Sequence, residues 1–177
     1  MMEIWDIYDK NRMKTGETMI RGYEKPEGAY HLLVFVAVFN TSGQMLIQQR
    51  QPFKEGWPGK WDITAGGSAI SGDDSQQAAA RELYEEIGIK ADFSHDLPHF
   101  TINSDRRHFC DYYLVRQDVG MADLNVPNEE VAQVKWATKE QIFEMIADGS
   151  FVPKQDGIID LCFALIERRR TLKHDEE

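Results

Sequence analysis

Three glutamates and one arginine lie within the segment from Arg81 to Glu86, whose pattern favours a helix. Glu82, Glu85 and Glu86 are related by i, i+3 and i, i+4 spacing, so one helix face would carry all three carboxylates. Such like-charged neighbours repel one another, and no lysine lies one turn away on this face to offset them. The helix pattern leaves two explanations open: a solvated acidic surface, or a site for a hard divalent cation such as Mg²⁺, Mn²⁺ or Ca²⁺.

Clear boundary signals define this helix. Asp74 followed by Gln77 matches a capping box, which predicts a helix from Ser75 to about Ile87. Gly88 then supplies the left-handed residue that ends many helices. The residues that the helical period predicts to pack on a sheet are Ala79, Leu83 and Ile87, flanked by Ala80 and Tyr84.

The rest of the chain alternates strand, turn and helix signals, with no internal repeat and no interdomain linker. We therefore expect a single domain over residues 1–177, with a polar tail from about residue 171. The predicted strands are His31–Phe39, Gln44–Arg50, Trp61–Ala65, His108–Val115 and Val131–Trp136, the first two joined as a hairpin. Two further helices are predicted, one from Lys139 and one over Ile158–Arg170.

Composition and charge argue against several classes of function. The chain is 42% apolar, which is ordinary for a soluble domain with a proper core, and Cys110 and Cys162 suit core positions. The net charge of -10 and the largely scattered basic residues argue against broad nucleic-acid binding. No apolar run approaches the roughly 20 residues that span a bilayer, and the N-terminus lacks a secretory pattern. We expect a cytoplasmic protein with no membrane partner.

The residues around the acidic helix complete a longer motif. Gly67, Asp73 and Arg81 are separated by five and then seven residues, and Arg81 begins the run Arg-Glu-Leu-Tyr-Glu-Glu-Ile-Gly-Ile. This closely resembles the signature of the Nudix hydrolase (MutT-like) family, G-x5-E-x7-R-E-U-x-E-E-x-G-U, where U is aliphatic. One position departs from it, since Asp73 replaces the family's glutamate. The resemblance implies an α+β Nudix fold: a mixed β-sheet sandwiched between helices, with the motif as a loop-helix-loop.

By position, the resemblance assigns roles to the acidic face. It implies hydrolysis of a nucleoside diphosphate derivative by water attack at phosphorus, which requires a divalent metal and a carboxylate base. The residues that would hold Mg²⁺ or Mn²⁺ are Glu82, Glu85, Glu86 and, through its carbonyl, Gly66. Arg81 would orient the glutamates and pair with Asp73. The implied catalytic residues are Arg81, Glu82, Glu85 and Glu130, with Glu82 and Glu130 as the candidates for the general base.

The loop before the glycines supplies candidate substrate contacts. Arg50 and Lys60 lie on the approach to the glycines and could meet phosphates, and Trp57 could stack on a nucleobase. The implied partner is a small nucleoside diphosphate derivative, and the resemblance permits a homodimer. The sequence leaves open the leaving group and the number of metals.

Two other functions stay open. The N-terminal part of the chain also resembles isopentenyl diphosphate isomerases, which share the Nudix fold. Those enzymes use a cysteine just before the motif and a metal-binding histidine just after it, where this chain has Gly66 and Ser68. The third function is a nucleotide-binding module without turnover. The retained glutamates argue against it, because a protein without metal gains nothing from their repulsion.

Overall fold

The fold is a mixed β-sheet with helices on both faces, accompanied by a separate N-terminal hairpin. The computed structural model describes residues 3–153 and 157–172, the last five of these as backbone alone. The strands are β1 (Ile4–Tyr8), β2 (Lys14–Ile20), β3 (His31–Phe39), β4 (Met45–Arg50), β5 (Trp61–Asp62), β6 (Ala65–Ser68), β7 (Phe100–Ser104), β8 (His108–Arg116) and β9 (Val131–Ala137). The helices are α1 (Ser75–Ile87), α2 (Lys139–Ala147) and α3 (Ile158–Leu172).

Strand β3 lies at the centre of the main sheet. The sheet has the order β5-β4-β3-β8-β7, with β6 pairing β3 and β9 pairing β4. β3 runs parallel to β8 along its whole length and antiparallel to β6. The predicted hairpin of β3 and β4 holds only at its turn, where Phe39 pairs with Met45, and the rest of β4 pairs with β9 and β5. The two strands therefore diverge beyond the turn.

The segment between β5 and β6 crosses the gap left by this divergence. The sequence predicted one strand over Trp61–Ala65, which the structure breaks at Ile63 and Thr64. The Thr64 hydroxyl donates to the carbonyl of Leu46 at 2.5 Å and accepts from the amide of Val38 at 2.8 Å. A side chain thus replaces backbone pairing while the chain moves from β4 to β3. The move places the two glycines of β6 beside the central strand.

Two apolar cores lie on opposite faces of the sheet. On one face, α1 packs Leu83 and Ile87 against the sheet. On the other face, Ile142 of α2 and Phe163 of α3 pack in a cluster with Phe39. Because both faces of β3 are covered, its continuous apolar run is the composition expected of a central strand.

Helix α1 begins and ends where the sequence predicts. The capping box is present, and Gly88 ends the helix in a left-handed conformation with a φ of 83°. The predicted apolar stripe is buried, but its predicted flank is wrong at Tyr84, which is 51% exposed. The flank that faces the sheet carries Ala78 and Glu86 instead. A carboxylate therefore lies on the packed side of the helix.

The N-terminal hairpin of β1 and β2 was not predicted from the sequence, and neither was β7. Trp5 of β1 stacks on His31 at the start of β3, with the ring centroids 4.2 Å apart. At the turn of the hairpin, Arg12 forms an ion pair with Asp111 of β8, which is fully buried. The hairpin is therefore fixed against the main sheet at both of these points.

The C-terminal helix extends slightly beyond its predicted end, to Leu172. Residues 173–177 of the predicted polar tail lie outside the described part of the chain. Cys110 and Cys162 are both buried, which confirms the prediction of core positions. Within the residues that the structure describes, no helix is long and apolar enough to cross a bilayer.

Candidate active site

Glu86 carries its carboxylate into the interior, where β4 and β6 separate. The residue is 5% exposed, and its Oε2 accepts hydrogen bonds from Gln48 Nε2 at 2.6 Å and from the Gly66 amide at 3.2 Å. Burial, reinforced by the nearby charge of Glu82, raises the pKa of Glu86 to about 8. The ionised carboxylate costs free energy here, and a cation beside it would lower that cost.

Arg81 connects the other acidic residues of the motif. Its Nε donates to Asp73 Oδ2 at 3.1 Å, and its Nη1 donates to Glu82 Oε1 at 2.9 Å and to Glu85 Oε2 at 3.1 Å. Its Nη2 donates to the carbonyl of Ser68 at 3.0 Å. Asp73 therefore reaches Arg81 in spite of its shorter side chain. One guanidinium links the end of β6, the loop before α1 and the acidic face of α1.

The two glycines of β6 leave room for different neighbours. A Cβ added to Gly67 would lie 2.5 Å from the carboxylate carbon of Glu82. A Cβ added to Gly66 would lie 2.5 Å from Cδ1 of Phe35 and 2.9 Å from the carbonyl oxygen of Val34. Gly67 is thus the glycine that makes room for a motif carboxylate, whereas the space at Gly66 is taken by the packing of β3.

Glu130 lies just before β9 and is connected to the end of α1. Asn128 donates from Nδ2 to the carbonyl of Glu86 at 2.9 Å, and its Oδ1 accepts from the Glu130 amide at 2.8 Å. The Gln51 amide donates to the Glu130 carbonyl at 3.0 Å. The Glu130 carboxylate forms an ion pair with Lys54. The backbone of Glu130 is therefore fixed near the motif helix while its side chain is engaged by the neighbouring loop.

The three predicted substrate contacts make their observed contacts within their own loop or with the end of α2. Arg50 Nε donates to the carbonyl of Gly56 at 2.7 Å. Lys60 Nζ donates to the carbonyl of Gly149 at 2.6 Å and lies 5.7 Å from the ring centroid of Trp57. Trp57 is 46% exposed and has a positive φ of 54°. The structure brings the motif residues together but does not bring these three side chains into contact with them.

Gln48 and Asn128 were not identified from the sequence, although both contact Glu86. Gln48 is 2% exposed and directly follows the apolar residues of β4. A polar residue within a buried strand is a weak indication of a hydrogen bond in the protein interior. This indication for Gln48 can be read from the sequence. Asn128 lies in a loop directly before Glu129 and Glu130, and nothing in the local sequence pattern indicates its contact with Glu86.

The donor set of the site fits a hard divalent cation by its chemistry. Across residues 3–153 and 157–172, no three His, Cys, Asp or Glu side chains converge closely enough to hold a metal ion as they stand. Arg81 engages both Glu82 and Glu85, and the Glu85 side chain is 55% exposed. Burial also raises the pKa of Glu82, so two neighbouring carboxylates lie where ionisation is unfavourable. Oxygen ligands of this kind are those that Mg²⁺ and Mn²⁺ prefer.

Residues 29–161, which include the main sheet, the motif and the site, match the model of the NUDIX domain. The chain belongs to the Nudix family. It is 45% identical over 152 residues to an uncharacterized Nudix hydrolase of Listeria monocytogenes, a match that covers 86% of this chain and 89% of the relative. The α+β Nudix fold predicted from the motif is confirmed.

Two further similarities bear on the fold and on the alternatives. A crystal structure of a protein from Deinococcus radiodurans shares the fold with a TM-score of 0.71 and 22% identity, covering 90% of this chain and 97% of that one. An isopentenyl-diphosphate delta-isomerase of Pectobacterium atrosepticum is 30% identical over 128 residues, which cover 72% of this chain and 68% of the relative. Sequence similarity alone therefore does not distinguish hydrolysis from isomerisation, and the residues of the site must decide between them.

Replacing Asp73 with glutamate is expected to be tolerated, with turnover within a few-fold of wild type, because Asp73 already reaches Arg81 and the longer glutamate keeps the charge that makes this contact. Steady-state kinetics on the best substrate measure the effect. Asp73→Asn is the matched control, since it keeps the length and removes the charge, and it should lose activity. A large loss in Asp73→Glu would instead show that the shorter side chain has a role of its own.

Proposed function

We propose that this chain is a metal-dependent hydrolase that cleaves a diphosphate linkage in a nucleoside diphosphate derivative by water attack at phosphorus. The observation that carries the proposal is the cluster in which Arg81 joins Asp73, Glu82 and Glu85 beside the buried Glu86. Membership of the Nudix family supports the reaction class. The substrate class follows from the family resemblance.

The proposed metal ligands are carboxylates and one backbone oxygen. They are Glu82, Glu85, Glu86 and the carbonyl of Gly66. A bound Mg²⁺ or Mn²⁺ would neutralise charge on the diphosphate and lower the pKa of a water molecule. To bind the cation, Glu82 and Glu85 would each give up the hydrogen bond from Arg81. Arg81 would still donate to Asp73 and to the carbonyl of Ser68.

Two carboxylates remain candidates for the general base. Glu82 lies within the acidic cluster, where its Oε1 accepts from Arg81, and a carboxylate beside the attacking water can accept its proton. Glu130 would first have to leave its ion pair with Lys54. The proposed substrate contacts remain Arg50, Lys60 and Trp57. Each side chain would have to leave its observed contact in order to bind the substrate.

Isopentenyl diphosphate isomerisation is the second candidate, because several relatives bear the name of that isomerase. Isomerisation needs an acid and a base within about 3 Å of the double bond, on opposite faces. Gly66 has no side chain, and Ser68 has no imidazole. Cys110 pairs with Leu33, which pairs with Ser68, so Cys110 lies two strand spacings from Ser68, about 10 Å away. Hydrolysis is the function that these residues support better.

We expect the purified protein with Mg²⁺ or Mn²⁺ to cleave at least one nucleoside diphosphate derivative and to leave isopentenyl diphosphate unchanged. A single plate should hold nucleotide sugars, dinucleoside polyphosphates, ADP-ribose, NADH and nucleoside triphosphates, with isopentenyl diphosphate in heavy water beside them. Chelator wells are the control. Deuterium incorporation or dimethylallyl product at enzyme-like rates would overturn the assignment, and nucleotide binding without cleavage of any compound would favour the binding module.

The proposal keeps the remaining expectations from the sequence. The enzyme would act in the cytoplasm on a small molecule, without nucleic-acid or membrane partners. It would consist of a single domain, and the family resemblance permits a homodimer. Light scattering on a size-exclusion column measures the oligomeric state directly.

A further inference from the structure

The N-terminal hairpin precedes the segment that matches the NUDIX domain, yet it contacts the motif directly. We call residues 69–74, between β6 and α1, the motif loop. Asp6 of β1 accepts from Ser71 Oγ at 2.7 Å through Oδ1 and from the Gly72 amide at 3.1 Å through Oδ2. Lys14 of β2 donates to Asp6 Oδ2 at 2.7 Å and to the carbonyl of Asp73 at 3.0 Å. Two strands of the hairpin thus hold three successive residues of the loop.

The hairpin is itself anchored to the start of α1. Arg12, which adopts a left-handed φ of 65° in the hairpin turn, pairs with Asp111. Asp111 Oδ2 also accepts from Ser75 Oγ at 2.5 Å, and Ser75 is the first residue of α1. One buried carboxylate therefore connects the hairpin and the motif helix. The motif loop and the first residue of α1 are therefore both contacted from outside the motif.

We propose that the hairpin compensates for the short acidic residue of the motif. Asp6 and Lys14 hold the motif loop close to α1. Asp73, one methylene shorter than the family's glutamate, then still reaches Arg81. Asp6 is a positioning residue that acts through Asp73 on the guanidinium that orients the glutamates. The effect on turnover rests on the proposed hydrolase function, whereas the effect on the Asp73 to Arg81 contact does not.

A small movement of the motif loop would break the hydrogen bond between Asp73 and Arg81. Asp73 Oδ2 lies 3.1 Å from Arg81 Nε, so withdrawal of the loop by about 1 Å would exceed the range of a hydrogen bond. The Lys14 side chain is 42% exposed, so solvent screens its ion pair with Asp6, and such pairs contribute about 0–1 kcal/mol to overall stability. Loss of Asp6 should therefore change the position of the loop more than the stability of the fold.

The test combines Asp6→Ala with Asp73→Glu. Asp6→Ala is expected to lower kcat by about ten-fold, as small displacements of catalytic groups do. The double variant should recover to within a few-fold of Asp73→Glu alone, because the longer side chain reaches Arg81 from the withdrawn loop. Glu17→Ala, an exposed position on β2 of the same hairpin, is the control and should match wild type. General damage to the hairpin would not be repaired by one methylene in another segment.

A second readout needs no substrate. The Nε–H resonance of Arg81, identified by its absence in Arg81→Lys, should exchange faster with water in Asp6→Ala and slow again in the double variant. If wild type cleaves nothing, the proposed function fails, and this resonance still decides the role of Asp6. If Asp6→Ala does not fold, Lys14→Ala is measured in the same way. Unchanged turnover and unchanged exchange in the single variant, or no recovery in the double variant, would overturn the proposal.

Discussion

Replacing Glu86 with glutamine is expected to lower kcat by about 100-fold or more while raising the melting temperature of the metal-free protein. Glutamine has nearly the same shape, but it offers a weaker metal ligand and carries no charge. Since Glu86 is 5% exposed, the neutral side chain avoids the cost of burying a charge or of taking up the proton that neutralises it. Turnover and stability should therefore move in opposite directions, which a merely structural glutamate would not produce.

The stability gain should depend on pH. Burial raises the pKa of Glu86 in the folded protein to about 8, above its ordinary value of 4.5, so wild type loses stability as the pH rises between these values. The advantage of Glu86→Gln should be small at low pH and largest above pH 8 or so. Thermal melts across this range, with and without Mg²⁺, measure it, and Mg²⁺ should stabilise wild type more than the variant.

Glu85→Gln is the matched control for these melts, because the Glu85 side chain is 55% exposed and its charge costs little in the folded state. It should lose turnover with little change in melting temperature. Near wild-type turnover of Glu86→Gln on the best substrate would show that the proposed metal assignment is wrong.

Gly67→Ala is expected to remove most of the turnover with little loss of stability, and Gly66→Ala to lower stability. The new Cβ at Gly67 meets the carboxylate of Glu82, the end of a flexible side chain that can move aside, but this carboxylate is a proposed ligand. The new Cβ at Gly66 meets the ring of Phe35 and the carbonyl of Val34 in the central strand, where overpacking costs about 1–3 kcal/mol.

Melting temperature and kcat measured in parallel on the two alanine variants test this contrast. Full turnover in Gly67→Ala would show that the Glu82 carboxylate can move without consequence, which would remove it from the metal ligands. A fully stable Gly66→Ala would contradict the close packing on Phe35.

The sequence predicted best what depends on neighbours along the chain. The capping residues of α1 act within one turn, so its start at Ser75 and its end before Gly88 are confirmed. The acidic cluster is also local, since Arg81 and the glutamates share one helix. Asp73 lies in the loop directly before this helix, and its hydrogen bond with Arg81 agrees with the pairing that the motif implied.

What the sequence could not predict depends on the distant parts of the fold. The change of partner at Thr64 follows from the divergence of β3 and β4, which no local pattern records. β2 buries Met19 alone, so it carries no alternation that would mark a strand. The helical period defined the apolar stripe of α1 but not which flank faces the sheet, and Tyr84 was therefore assigned to the packed side in place of Glu86.

The parallel pairing of β3 with β8 affects when the site can form during synthesis. Residues 40–107, which include the glycines and the motif helix, form the connection between these two adjacent strands. Parallel neighbours pair only after such a long connection has closed, and closure carries an entropic cost. Asp111, which contacts both Arg12 and Ser75, also lies on β8. A chain still on the ribosome that ends before β8 therefore lacks the carboxylate that joins Arg12 to Ser75, the first residue of the motif helix, so this link forms only late in translation.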